Sequence, residues 1–305
     1  METYLSIALA IATAPLFPGV ILKVKAFFAG KQGPPLLIRY YTLAKLFRKG
    51  AVYSTSTSYV FRLGPTISFA SALAILPFFP FAGAEPLLGF HGDIIVLFYI
   101  LGLGRFFTVI AALDTASPFE GMGAAREVFF SALAEVTLVT ILILFYRLSG
   151  SLSFGEYFHG EQILYLTGNN GGLLLLVVFA LFMVLLVENS RVPVDDPATH
   201  LELTMIHEVM ILDHSGPDLA LIELGAFFKL LFYSSFLVHL LYPFAGGGTI
   251  ANLLIFGGLL FVVYAAVGVV ESIMARLKMN LVPKFILTSF ALVFFGVILT
   301  MGVLQ

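Results

Sequence analysis

Polar and apolar positions along this chain fall into long apolar blocks separated by short polar connections. The blocks cover about 4–22, 66–83, 94–113, 124–146, 173–187, 219–242, 253–270 and 285–303. Several run for about 18 residues or more, enough for a helix to cross a hydrocarbon core of about 30 Å. The pattern predicts an all-α polytopic membrane protein with about eight transmembrane helices. Pro15 and Pro18 interrupt the first block, a break that a helix inside a bundle absorbs. After that block, Gly33-Pro34-Pro35 opens a further helix over 36–49. Leu36, Tyr40, Leu43 and Phe47 make its apolar stripe, opposite Lys45, Arg48 and Lys49, while Leu37, Ile38 and Tyr41 stray onto the polar side. Such an amphipathic helix lies in the interface plane.

Composition agrees: 60% of residues are hydrophobic and 11% charged, where a soluble domain is about a quarter charged. The net charge of −2 and the lack of a basic patch give no reason to expect nucleic acid. With no cysteine, the chain holds no disulfide, thiolate nucleophile or Cys-ligated metal, and no iron–sulfur cluster. An electron carrier would sit on another subunit, unless a haem used histidine alone. The first block begins almost at Met1 with no Lys or Arg before it and no clear cleavage site, so it reads as a retained helix. Residues 1–305 read as a single integral membrane domain. Connections 84–93, 147–172 and 243–252 carry Arg147 as their one Lys or Arg, whereas 23–62 alone carries eight of sixteen. The positive-inside rule puts the connections at about 23–63, 114–123, 188–217 and 275–284 in the cytoplasm and both termini outside.

The densest polar stretch runs from Glu188 to Gly216 and gathers six carboxylates and three of the six histidines. A bilayer does not tolerate so many unpaired charges. Leu201, Leu203, Met205, Ile206, Val209, Met210, Ile211 and Leu212 are woven among them, which marks a docking surface more than a solvated loop. Asp196 can cap a helix starting at Pro197; carried on to Leu212, it would align His200, Thr204, His207, Glu208 and Ile211 on one face, with Glu202 opposite. Zinc does not fit, since His200 and His207 stand about 10 Å apart along such a helix and the second histidine of a zincin motif is missing. Docking candidates are Arg191, Asp196, His200, His207, Glu208 and Asp213, with Arg39, Lys45 and Arg48 from the basic segment.

Ionisable residues inside the spans are costly and default to functional candidates. Glu135 lies midway along the fourth span with no cation at helical spacing, so it either faces a wet cavity or keeps its proton. Both states suit a proton relay; the structural reading is an interhelical hydrogen bond from the neutral acid. Glu223 and Lys229 share the sixth span, and Arg105 sits well inside the third with Asp114 at its end. Arg105 and Lys229 can neutralise some of these acids. Glu271 and Arg276 lie near a span end, where snorkelling explains them.

The run Glu188-Asn189-Ser190-Arg191-Val192-Pro193-Val194-Asp195, followed by Leu201-Glu202-Leu203 and Ser215-Gly216, resembles the signature loop of the respiratory complex I subunit 1 family. The stretches RFFTVIAALDTASPFEGMGAARE, PATHLELTMIHE and ESIMARLK are similar to its branch of membrane anchors of group 4 NiFe hydrogenases and formate hydrogenlyases, the hydrogenase-4 component C type. Arg126 and Glu135 stand at the spacing of the family's Arg and Glu in the fourth helix. Three departures are visible: Ala198-Thr199-His200 replaces the acidic cluster of the complex I form, the stretch from Glu202 to Asp213 is longer than the family's, so acids inside it do not carry over, and Ala226, not Glu223, stands nearest a family glutamate.

The resemblance implies a prokaryotic inner-membrane anchor that docks a soluble arm on its cytoplasmic side. That arm would consist of hydrogenase large and small (iron–sulfur) subunits carrying the NiFe centre and iron–sulfur clusters; this chain would hold no cofactor and no catalytic centre. Glu135, Glu188, Asp195 and Glu202, with Glu223, Lys229, Arg105 and Asp114, would form a proton pathway toward antiporter-like subunits. A quinone-reactive complex I subunit 1, a stand-alone ion transporter and a passive anchor are the rival readings. The missing internal repeat and the large acidic–apolar loop weigh against the transporter.

Overall fold

The computed structural model describes residues 2–159, 171–197, 205–244 and 248–303. Every regular element among them is helical. α1 (Glu2–Thr13) and α2 (Phe17–Phe28) meet at a bend of 42°, where Pro15 and Pro18 interrupt the ladder. Pro18 falls in the first turn of α2, where its missing N–H costs nothing. The first span therefore reaches Phe28, beyond the predicted end near Leu22, and carries Lys23 and Lys25 within the helix. α3 (Ile38–Phe47) is the predicted interfacial helix, shorter at both ends. Leu43 packs inward while Leu36 and Phe47, assigned to the same stripe, stay exposed.

Seven long apolar helices follow: α4 (Tyr59–Ala74, continued by 3-10 turns to Gly83), α5 (Asp93–Asp114), α6 (Pro118–Ser149), α8 (Gly171–Glu188), α10 (Gly216–Leu241), α11 (Thr249–Ile273) and α12 (Val282–Val303). With the bent α1–α2 pair counted as one span, the described residues hold eight. Two short helices, α7 (Phe154–His159) and α9 (His207–Met210), sit in the connections. α6 runs for 32 residues, about 48 Å, so it outreaches a hydrocarbon core of about 30 Å. The predicted connection 114–123 shrinks to three residues, 115–117, since Pro118 already begins the helix.

α10 is the axis of the bundle, with 72% of its apolar window buried. It packs against α3, α4, α8 and α11, which explains why it lacks a polar face although it carries Glu223 and Lys229. At the end toward the termini, Phe79 is the hub of an aromatic knot with Phe81, Phe154, Phe158, Phe232 and Phe236, and His239 stands edge-on to its ring at 5.0 Å. Buried aromatic rings in edge-to-face contact add stability beyond their buried area.

The connections segregate by end. Ser215 Oγ accepts from Val52 N–H, Asp114 Oδ2 accepts from Ser58 and Phe61 N–H, and Leu277 N–H donates to Pro193 O, so the four odd-numbered connections meet at one end. Gly216 sits at this junction with a φ of +55°, and a Cβ there would stand 2.6 Å from Gly50 O. At the other end Gly92 N–H donates to Leu152 O and Thr249 bonds Glu2. Each crossing switches ends, and the even number of crossings leaves both termini at this second end.

Candidate functional site

Four charged side chains from four helices meet inside the bundle. Arg105 on α5 reaches Glu135 Oε1 through Nη1 at 2.5 Å and Glu188 Oε2 through Nη2 at 2.6 Å. Lys229 Nζ on α10 reaches the same Glu188 oxygen at 2.9 Å. Glu135 is thus ion-paired, not uncompensated. Its cation comes from the neighbouring helix, thirty residues earlier, where helical spacing cannot show it. The arginine's two-pronged fork suits it to bridge two carboxylates. The quartet sums to zero charge but is unevenly covered: the side chain of Glu188 is 1% exposed, Arg105 12% and Glu135 54%. Glu188 Oε1 is buried without a hydrogen-bond partner.

The central loop folds back onto the bundle. Asp195 is buried; its Oδ1 pairs with Arg276 at 2.9 Å, and its Oδ2 accepts from the backbone N–H groups of Ile206 and His207 at 3.1 and 3.0 Å. Arg126 Nη1 donates to Met205 O at 3.0 Å. Val192, Val194, Met205, Ile206, Val209, Met210 and Ile211 are buried too, so these residues cover this chain's own helices, while Leu212 stays exposed and Leu201 and Leu203 lie outside the described residues. A continuous helix from Pro197 to Leu212 does not form. Met205 and Ile206 are non-helical, because their backbone is drawn to Asp195 and Arg126, and α9 has four residues. Glu271 does not snorkel: its buried carboxylate bridges Lys25 at 3.0 Å and Arg191 at 3.4 Å. Arg276 likewise turns in to Asp195.

The remaining candidates scatter. Asp114 caps the start of α4. Glu223 holds a buried, unpartnered Oε2 and faces Arg39 and Glu208. Arg39 lies over the Phe227 ring at 5.8 Å, pointing inward where docking would need it outside. Arg191, with its Glu271 pairing, is also turned inward. Lys45, Arg48 and Asp213 are exposed, while Asp196, His207 and Glu208 are half-buried. His200 and Glu202 lie outside the described residues.

A cavity of about 90 Å³ opens against the quartet, lined among others by Ser71, Arg105, Glu127, Glu188, His207 and Lys229. It has room for several waters. A smaller one of about 10 Å³ shares Glu127, Glu188 and Ser190 with it and reaches Asp195. Glu127 and Tyr233, which lies beside Glu188, were not among the sequence candidates. Glu127 stands two turns before Glu135 on one helix, a signal the sequence did carry.

His214, a third residue outside the sequence candidates, is buried with its ring stacked on Phe61 at 4.0 Å, and burial pushes its pKa down to about 4. Its neutral form contributes stability fully above the unfolded pKa of about 6.5, and that contribution is lost as pH falls toward 4. At pH 5 the loss amounts to about 2 kcal/mol. Amide exchange around 211–215, corrected for its intrinsic rate, is expected to speed up between pH 7 and pH 5. In His214→Gln that acceleration is expected to vanish; if it persists unchanged, another group is responsible.

The model of the NADH dehydrogenase family matches residues 2–302. Hydrogenase-4 component C of Escherichia coli (strain K12) is 33% identical over 240 residues, covering 75% of this chain and 71% of that protein. Formate hydrogenlyase subunit 4 of the same organism is 27% identical over 289 residues, covering 93% and 92%. In fold, a chain of the membrane-bound sulfane sulfur reductase, an archaeal respiratory membrane complex, superimposes with a TM-score of 0.82 at 22% identity, over 98% of both chains. With its eight spans, its loop folded over buried carboxylates and this match along nearly its whole length, the chain belongs to the NADH dehydrogenase family, that of complex I subunit 1.

Proposed function

We propose that this chain is the membrane anchor and proton-coupling subunit of an energy-converting complex of the NiFe-hydrogenase or formate-hydrogenlyase type. Its similarity to two such membrane subunits supports membership of an energy-converting complex. The soluble arm, with its metal and iron–sulfur centres, would dock on the end where the loops meet, and antiporter-like subunits would lie beside the bundle in a prokaryotic inner membrane. The observation that carries the coupling role is the polar line from Asp195 through Glu188 and Arg105 to Glu135. It joins the loop end to a carboxylate half exposed at membrane depth. The cavity beside it, about 90 Å³ and lined by charged side chains, favours protons over a quinone ring.

Glu135→Gln tests this reading. Glutamine keeps the shape and most of the hydrogen bonding to Arg105 and removes the titratable group. In the purified complex, subunit composition and electron transfer to an artificial acceptor are expected to survive, while ion translocation into sealed vesicles falls about tenfold. Unchanged translocation would remove Glu135 from the relay.

Orientation is tested separately, and the cysteine-free chain makes this clean. A single cysteine at His91 is expected to react with an impermeant thiol reagent on intact cells, and one at Ser54 to react after lysis alone. The opposite result would turn the docking end outward.

A further inference from the structure

We infer that Glu127 is the proton-loading carboxylate of this chain, taking protons from the loop-side cavity and passing them to Glu188. The inference rests on the proton-coupling reading and adds a residue outside the quartet. Glu127 stands on the loop-side extension of α6, in the wall shared by the two cavities. It is half-buried and close enough to Arg105 to act on that guanidinium. Its carboxylate makes no hydrogen bond or ion pair among the described residues.

The ion pairs single it out. Arg105 and Lys229 are paired with Glu135 and Glu188. Asp195 is paired with Arg276, and Arg126 donates to the backbone carbonyl of Met205. Glu127 is therefore the carboxylate lining both cavities that no cation holds in an ion pair among the described residues, which leaves its oxygens open to a cavity-borne proton. The other titratable group facing the cavity from the loop is His207. The receiving atom is in place as well, for Glu188 Oε1 is buried and unpartnered, with its twin oxygen held by two cations. In the loading step a water-borne proton forms an O–H bond on the Glu127 carboxylate. In the transfer step that bond breaks and one forms on Glu188, directly or through a cavity water, and Glu127 regains its charge. Two cations already flank the cavity, which disfavours sodium as the occupant.

The test uses the purified complex in sealed vesicles, driven by an artificial electron donor, with Glu127→Gln and Glu127→Asp compared. Expected for Glu127→Gln are normal subunit composition, redox turnover within about twofold of the parent and proton translocation lowered about tenfold. Glu127→Asp, with a titratable group on a shorter stem, is expected to recover at least half of the parent's translocation. Normal translocation in Glu127→Gln overturns the assignment; so does failure of Glu127→Gln to assemble, or Glu127→Asp being as defective as Gln. Translocation that needs sodium and withstands a protonophore also overturns it. If Glu135→Gln loses translocation and Glu127→Gln does not, the loading site alone is wrong. If neither loses it, the relay reading itself fails.

Discussion

Glu188→Ala is expected to destabilise the bundle by about 3–5 kcal/mol, the usual cost of removing one partner from a buried ion pair. One oxygen of Glu188 holds both Arg105 and Lys229, so its loss leaves two cations converging on an empty space. Arg105 retains Glu135, but Lys229 makes no other ion pair among the described residues. The penalty should therefore fall mainly on Lys229. Adding Lys229→Met to Glu188→Ala is expected to restore a large part of the lost stability, although it deletes a second charge. Thermal unfolding of the detergent-solubilised complex, followed by retention of this subunit, measures both variants. A double variant no more stable than Glu188→Ala would mean that the cost lies in packing around α8.

Asp195→Ala is expected to be comparably harmful, again by about 3–5 kcal/mol, but with local consequences. It removes the carboxylate that pairs with Arg276 and accepts from the backbone N–H groups of Ile206 and His207. Unsatisfied buried donors carry their own penalty of about 1–3 kcal/mol. Asp195→Asn keeps an acceptor for the backbone and should be milder. Amide exchange is expected to rise sharply across 189–215 and at 274–281 while α10 stays protected. Equal exchange in wild type and Asp195→Ala would remove Asp195 from its role as the loop's fastening. Charge reversal at Asp195 also cannot probe docking, since it unfastens the loop before any partner is considered. Half-buried Asp196 and exposed Asp213 are the better positions for that purpose.

The spans were legible because apolar block length decides membrane crossing almost alone, and the kink between α1 and α2 was written in Pro15 and Pro18. The ends were less legible. α6 begins six residues before its apolar block, since Pro118 and Glu120 suit a first turn whatever their hydropathy. The acids Glu135, Glu188 and Asp195 stood out by their cost, yet their partners did not. Arg105 and Glu188 are 83 residues apart, and only the assembled bundle, with α6 packed against both α5 and α8, brings them together. The loop misled for a related reason: its interleaved Val, Met and Ile residues signal an interface, and sequence cannot say whether the surface covered belongs to another chain or to its own.

The phenylalanine knot around Phe79 has an electrical consequence. Charged side chains and a cavity of about 90 Å³ line the bundle from its loop end to its middle, while the end toward the termini is closed by aromatic rings with little capacity to screen a field. In a charged membrane, water filling that cavity would shift the voltage drop toward the aromatic end and bring the quartet nearer the potential of the loop-side solution. A proton reaching Glu135 would then cross the smaller share of the field, which is worth about 2.3 kcal/mol per charge at 100 mV. Under the coupling role proposed for this chain, the electrical work of translocation then falls to its neighbours in the membrane.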